Sequence, residues 1–158
     1  MDKIKLIEPY ISFEQVEEGL RDIFASGQFT RGSNVLKFAE DLKTYTNAKH
    51  AFLVTSATTA LTMCLKALDI KEGDDVLVSD FSFPATANVV EDLGARPIFV
   101  DAKRDTFNMC LEDLKSKITD NVKAVIFVDA FGNPTGINEV MNICREHNIP
   151  VIEDAACA

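Results

Sequence analysis

From residue 51 onward the chain alternates two kinds of apolar spacing. Short, nearly continuous apolar runs occupy A-F-L-V-T (51–55), D-V-L-V-S (75–79), P-I-F-V-D (97–101), V-K-A-V-I-F-V-D (122–129) and P-V-I-E-D (150–154), and read as buried strands. Between them apolar residues recur every three or four positions. Ala57, Ala60, Leu61, Cys64, Leu65 and Leu68 form one such face, and further helices are expected over Pro84 to Leu93, Leu111 to Ile118 and Ile137 to His147. Pro84 suits a first turn and Gly94 an exit. Continuously apolar strands alternating with amphipathic helices predict an α/β fold, a mostly parallel sheet with helices on both faces.

Ahead of this pattern, residues 1–50 read as an N-terminal helical segment and 51–158 as the α/β domain. Ser12-x-x-Gln15 is a capping box that opens a helix over 12–26, with Phe13, Val16, Leu20, Ile23 and Phe24 on one face and Gly27 as its end. G-Q-F-T-R-G-S (27–33) reads as a loop. Ser33 is expected to cap a second helix that turns Val35, Phe38, Ala39, Leu42 and Tyr45 inward.

In a parallel sheet, ligands bind outside the carboxyl ends of the strands. Four strands deliver an aspartate there: Asp80, Asp101, Asp129 and Asp154. Such residues also cap turns, so position alone does not single out Asp154.

Composition narrows the chemistry. The 158 residues suffice for a core, and 47% hydrophobic with 26% charged residues is ordinary globular composition. A net charge of -9, from 16 basic and 25 acidic side chains, opposes nucleic acid and anionic membrane. A phosphate-bearing ligand must therefore be held by a local device. The opening M-D-K-I-K-L-I-E-P has no signal-peptide core and no stretch could span a bilayer, so a cytoplasmic location is expected. Cys64, Cys110, Cys144 and Cys157 show no C-x-x-C and no histidine at metal spacing; free thiols and no metal site are expected.

S-A-T-T-A (56–60) lies between a strand and a helix. Either Ser56 or Thr58 caps that helix, or the first-turn amides and the hydroxyls of Ser56, Thr58 and Thr59 receive an anion. The stretch is neither G-x-G-x-x-G nor a Walker loop, which disfavours an ordinary nucleotide-binding domain. In D-F-S-F-P-A-T-A-N (80–88), Phe83 is either core or a plate for a planar ring. A phosphate nest, an aromatic plate and a strand-end carboxylate together suit pyridoxal 5'-phosphate, whose protonated ring accepts electrons released at a substrate's α-carbon.

Taken in order, T-R-G-S, Y-T-N-A-K-H-A, T-S-A-T-T-A-L, F-S-F-P-A-T-A-N, L-G-A-R-P-I-F-V-D, F-G-N-P and V-I-E-D-A-A resemble the N-terminal part of the DegT/DnrJ/EryC1/StrS aminotransferases, sugar aminotransferases of the aspartate-aminotransferase fold. The resemblance implies that Ala57 and Thr58 bind the cofactor phosphate, that Phe83 stacks on the pyridine ring and that Asp154 pairs with the ring nitrogen. Cys157 stands where the family usually has glutamine or histidine beside the cofactor's phenolic oxygen, a weaker hydrogen-bonding group. Asn133 either lies near the pocket or serves the turn beside Pro134 and Gly136. The resemblance further implies transfer of an amino group from an amino acid, commonly glutamate, to a keto sugar linked to a nucleotide, in cell-surface polysaccharide or amino-sugar biosynthesis, by a homodimer. The family's Schiff-base lysine lies downstream of E-D-A-A, and none of the eleven lysines here has its context, so a fragment inactive by itself is expected. The alternatives are a lysine-independent sugar dehydratase relative and a non-catalytic association module.

Overall fold

The computed structural model describes residues 10–158, so the signal-peptide expectation lies outside the described residues. These divide into two units, one ending at Leu53 and the other running Val54–Ala158. No described helix is long and apolar enough to cross a membrane.

The first unit holds α1 (Phe13–Ser26) and α2 (Ser33–Thr46). Gly27 ends α1 at φ +67°, a conformation that glycine adopts without a Cβ clash. Two expectations fail here. Ser12 occupies the N-cap but makes no side-chain cap bond, and Gln15 donates its amide to the Ser12 backbone oxygen instead, so the capping box is not formed. Gly32, not Ser33, is the N-cap of α2. The inward face of α2 is also not buried: Val35, Phe38, Leu42 and Tyr45 remain exposed. Two helices by themselves supply no second layer against which an apolar stripe can be buried.

Residues 51–55 correct a larger expectation. The run is not a strand: no segment among the described residues pairs with its backbone groups, and Phe52 and Val54 are exposed. An apolar run becomes a strand only where a ladder partner satisfies its N–H and C=O groups.

The second unit runs α3 (Ala57–Ala67), β1 (Asp75–Ser79), α4 (Ala85–Glu91), β2 (Arg96–Val100), α5 (Leu111–Lys117), β3 (Val122–Val128), a single 3-10 turn (Ala130–Gly132), α6 (Ile137–Glu146) and β4 (Val151–Asp154). All four strands are parallel, in the order β2-β1-β3-β4. The chain steps outward from β1 to β2, then crosses back to β3, so strand order reverses between β1 and β3.

Strand alternation sorts the core into two faces. Val76, Val78, Ala124 and Ile126 pack with Leu61 and Leu65 of α3 and Val89 and Val90 of α4, and Ile152 joins them. Leu77, Val125 and Phe127 pack with Leu114 of α5 and Val140 and Ile143 of α6, joined by Val151. Helices therefore cover both faces, as the apolar periodicity predicts. The short connection 68–74 joins the end of α3 to the start of β1. Hence α3 runs against the strands and begins at the sheet's carboxyl edge.

Candidate functional site

Three loops and one strand end meet that edge. The sequence S-A-T-T-A builds the first piece. Ser56 has extended backbone angles and its Oγ accepts the Thr59 amide at 3.1 Å, which makes Ser56 the N-cap. The Ser56 and Thr59 hydroxyls lie 3.0 Å apart. The first-turn amides of Ala57 and Thr58 have no partner among the described residues, and both residues are exposed. Capping thus uses one amide of the turn, and two remain unpartnered among the described residues at the positive end of the helix dipole.

Asp154 closes β4. Ile152 packs against the α3–α4 cluster, so alternation turns Asp154, two residues on, to the same face. Its Oδ1 accepts the Ala156 amide at 3.1 Å, and its backbone oxygen accepts the Asp129 amide at 3.0 Å. No described residue hydrogen-bonds to Oδ2, and the side chain is half-buried. The carboxylate caps a local turn with one oxygen and keeps the other in reserve.

Phe83 stands just before α4 and is 76% exposed, which removes the core reading for this ring. It lines a cleft with Ser79, Asp80, Asn88 and Phe99. Phe81 goes elsewhere, packing with Phe107 and Phe131 at centroid distances of 5.0 and 5.5 Å. Ala57, Thr58, Phe83 and Asp154 therefore lie at one edge of the sheet, with Asp154 on the face that α3 covers, and none is hydrogen-bonded to another among the described residues. Cys157 is exposed in the turn after β4, with its backbone oxygen against Gly132.

Sequence reasoning leaves Asn133 between two roles, and the structure gives it the turn. Its Oδ1 accepts from the Thr135 amide and hydroxyl at 3.1 and 2.7 Å. Sequence reasoning misses Ser79 and Asn108 and does not set Asp129 apart. Ser79 and Asp129 are buried at the ends of the two central strands, with Ser79 Oγ and Asp129 Oδ1 unpartnered. Burial, and then the charge of Asp154, push the Asp129 carboxyl above the ordinary carboxylate range. Glu153 is raised as well, by burial and then by Asp129. Asn108, 1% exposed, reaches across to the turn after β3. Asp129 carries a legible signal as a strand-end aspartate, but only its burial distinguishes it from Asp80 and Asp101. No cluster of metal-ligating side chains occurs among the described residues.

Residues 11–158 match the DegT/DnrJ/EryC1/StrS aminotransferase family. GDP-perosamine synthase of Escherichia coli O157:H7 is 34% identical over 143 residues, which cover 90% of this chain and 38% of that protein. The dTDP-4-dehydro-2,3,6-trideoxy-D-glucose 4-aminotransferase of Saccharopolyspora spinosa is 32% identical over 157 residues, covering 98% of this chain and 40% of that one. Among solved structures, E. coli GDP-4-keto-6-deoxy-D-mannose-3-dehydratase with bound hydrated pyridoxal phosphate aligns with a TM-score of 0.88 at 28% identity, over 98% of this chain and 41% of that chain. The chain thus spans about two-fifths of the length of the curated relatives it matches. It belongs to the DegT/DnrJ/EryC1/StrS aminotransferase family.

Proposed function

We propose that, within this family, these 158 residues form the cofactor-binding part of a pyridoxal-phosphate-dependent enzyme. The whole protein would move an amino group from an amino acid, glutamate in the first instance, to a keto group on a nucleotide-linked sugar. One observation carries the reading: two uncapped helix amides, an exposed aromatic ring and a carboxylate oxygen without a partner among the described residues occur at one edge of the sheet. That donor and acceptor set fits a flat, phosphorylated ring bearing a basic nitrogen.

In this reading the amides of Ala57 and Thr58, with the Thr58 hydroxyl, hold the phosphate at the start of α3. Phe83 lies on the ring face and keeps water from it. Oδ2 of Asp154 accepts the ring N–H and keeps that nitrogen protonated, while the Ala156 amide on Oδ1 fixes the carboxylate's orientation. The Cys157 thiol stands toward the phenolic oxygen as a weak donor. Once bound, the cofactor supplies an electron sink for breaking bonds at the amino-bearing carbon. The 158 residues bind and orient; turnover of glutamate and a keto-sugar nucleotide by the purified chain would contradict that division. The exposed apolar residues of α1 and α2 support association with a second copy in the whole protein. The likeness to the E. coli dehydratase supports a second reading, removal of a sugar hydroxyl with the amino acid as two-electron donor, distinguished by whether the donor's nitrogen is retained in the sugar product or released as ammonia.

Pyridoxamine 5'-phosphate is the suitable probe, because it lacks the aldehyde that would react with surface lysines. Calorimetric titration should show saturable binding to the wild-type chain, weakened about tenfold or more by Thr58→Ala and by Asp154→Ala. Equal affinity in all three chains, or no binding to wild type, would overturn the assignment.

A further inference from the structure

We propose that Asn108 is a positioning residue for the Asp154–Cys157 segment, acting through the turn Ala130–Gly132. The inference rests on the cofactor reading above only for its consequence in binding; the mechanical link stands on geometry alone.

Asn108 sits just ahead of α5, almost wholly buried, in a loop closed by the Lys103 amide on the Asn108 oxygen at 2.8 Å. Its side-chain amide is fully used. Oδ1 accepts the Ala130 amide at 3.1 Å, and Nδ2 donates to the backbone oxygens of Asn133 at 2.7 Å and Thr135 at 2.8 Å. One side chain therefore supplies both donors and an acceptor to a segment more than twenty residues away in sequence. No other side chain from outside the turn hydrogen-bonds to residues 130–132 among the described residues. The held turn needs holding. Phe131 adopts φ +54° and Gly132 φ +78°, and the first of these is a left-handed conformation that a bulky side chain disfavours.

The turn in turn touches the cofactor-facing segment at two points. At its near end the Asp129 amide donates to the Asp154 oxygen at 3.0 Å. At its far end Gly132 lies so close to Cys157 that an added Cβ would meet the Cys157 backbone oxygen at 2.6 Å and Ala158 Cα at 3.3 Å. These contacts bracket Asp154, Ala155, Ala156 and Cys157. The segment's own bonds, Ala156 to Asp154 Oδ1 at 3.1 Å and Ala158 to the Ala155 oxygen at 3.0 Å, make it a compact turn that moves as a piece. Asn108 thus sets the turn, and the turn sets where the Asp154 carboxylate and Cys157 stand. A residue that touches neither group governs both.

The test uses two readouts. The first needs no ligand: the Ala156 amide proton resonance at fixed pH reports the hydrogen bond to Asp154 Oδ1, and so how that carboxylate is held. Asn108→Ala should move that resonance upfield while amides of the buried strands, such as those of Leu77 and Ile126, keep their positions. Asn108→Asp, which presents an acceptor to two carbonyls, should do the same. The second readout is pyridoxamine 5'-phosphate: its dissociation constant should rise about tenfold, and the pH at which the bound ring nitrogen titrates should move toward that of free ligand. Should Asn108→Ala fail to fold, Asn108→Asp serves as the folded test, and Gly132→Ala, whose Cβ meets the Cys157 oxygen, should alter the same two readouts. The proposal is overturned if Ala130 responds in the Asn108 variants but Ala156 and the ligand readouts match wild type. If wild type does not bind the ligand, the cofactor reading fails, and the Ala156 resonance alone decides the role of Asn108.

Discussion

Two aspartates leave the sheet side by side, Asp129 from β3 and Asp154 from β4, and their environments divide their roles. Asp154 is half-buried and has an amide on one oxygen. Asp129 is 3% exposed with an unpartnered oxygen, and burial, reinforced by Asp154, favours its neutral form. A folded pKa above the unfolded one means that Asp129's contribution is intact below the ordinary carboxylate range and is lost as pH rises through the raised value. Asp129→Asn should therefore be more stable than wild type at pH 7 by about 1 kcal/mol and equal to it near pH 3, as read by urea denaturation at both pH values. Phe83→Ala should behave oppositely, changing stability by less than about 0.5 kcal/mol because the ring is already exposed, yet weakening pyridoxamine phosphate binding. Phe83 and Asp154 stand out in the sequence through the family resemblance, since strand-end position alone does not set Asp154 apart from Asp80, Asp101 and Asp129. Asn108 does not, since its three bonds reach residues 22, 25 and 27 positions away.

At the scale of elements, local chemistry decides ends and pairing decides strands. Ser56 caps α3, so Ser56→Ala should cost about 1 kcal/mol by thermal denaturation. Ser12 offers the same sequence signal and makes no such bond, because a capping motif states what a side chain can do, not which competing bond the backbone takes. The helices over 57–67, 111–117 and 137–146 follow their apolar spacing closely. The run 51–55 satisfies the same apolar criterion as the four true strands and fails for want of a neighbour, a non-local condition that spacing does not encode. Where β1 and β2 begin in register, Arg96 grips the buried Asp75 through two bonds of 2.8 and 2.9 Å. The Arg96 hydrogen bond, opposed by burial, holds the Asp75 carboxyl below its usual range. That contribution is present above the unfolded carboxylate pKa and lost as pH falls through the depressed one. Arg96→Gln should thus destabilise the fold at pH 7, with the difference shrinking as pH falls through the depressed Asp75 value. An unchanged difference at low pH would show that the charge pair is not the cause.

On the scale of the molecule, the parallel sheet and its two helical layers direct every α3-to-β4 connection to one of two edges, and the carboxyl edge collects the chemistry. An acidic chain of net charge -9 has no general attraction for a phosphate, so binding has to come from the local amides at the start of α3. Alternating apolar runs suffice to predict that layering, and the family resemblance supplies the roles; the shared face of Asp154 and α3 comes from strand register, which only the structure gives. The most direct measurement is an amide NMR titration of the 158-residue chain with pyridoxamine 5'-phosphate. Perturbations confined to Ala57, Thr58, the loop around Phe83 and Asp154 to Cys157 are the predicted result. Saturation with shifts elsewhere, or no shift at millimolar ligand, would contradict the account.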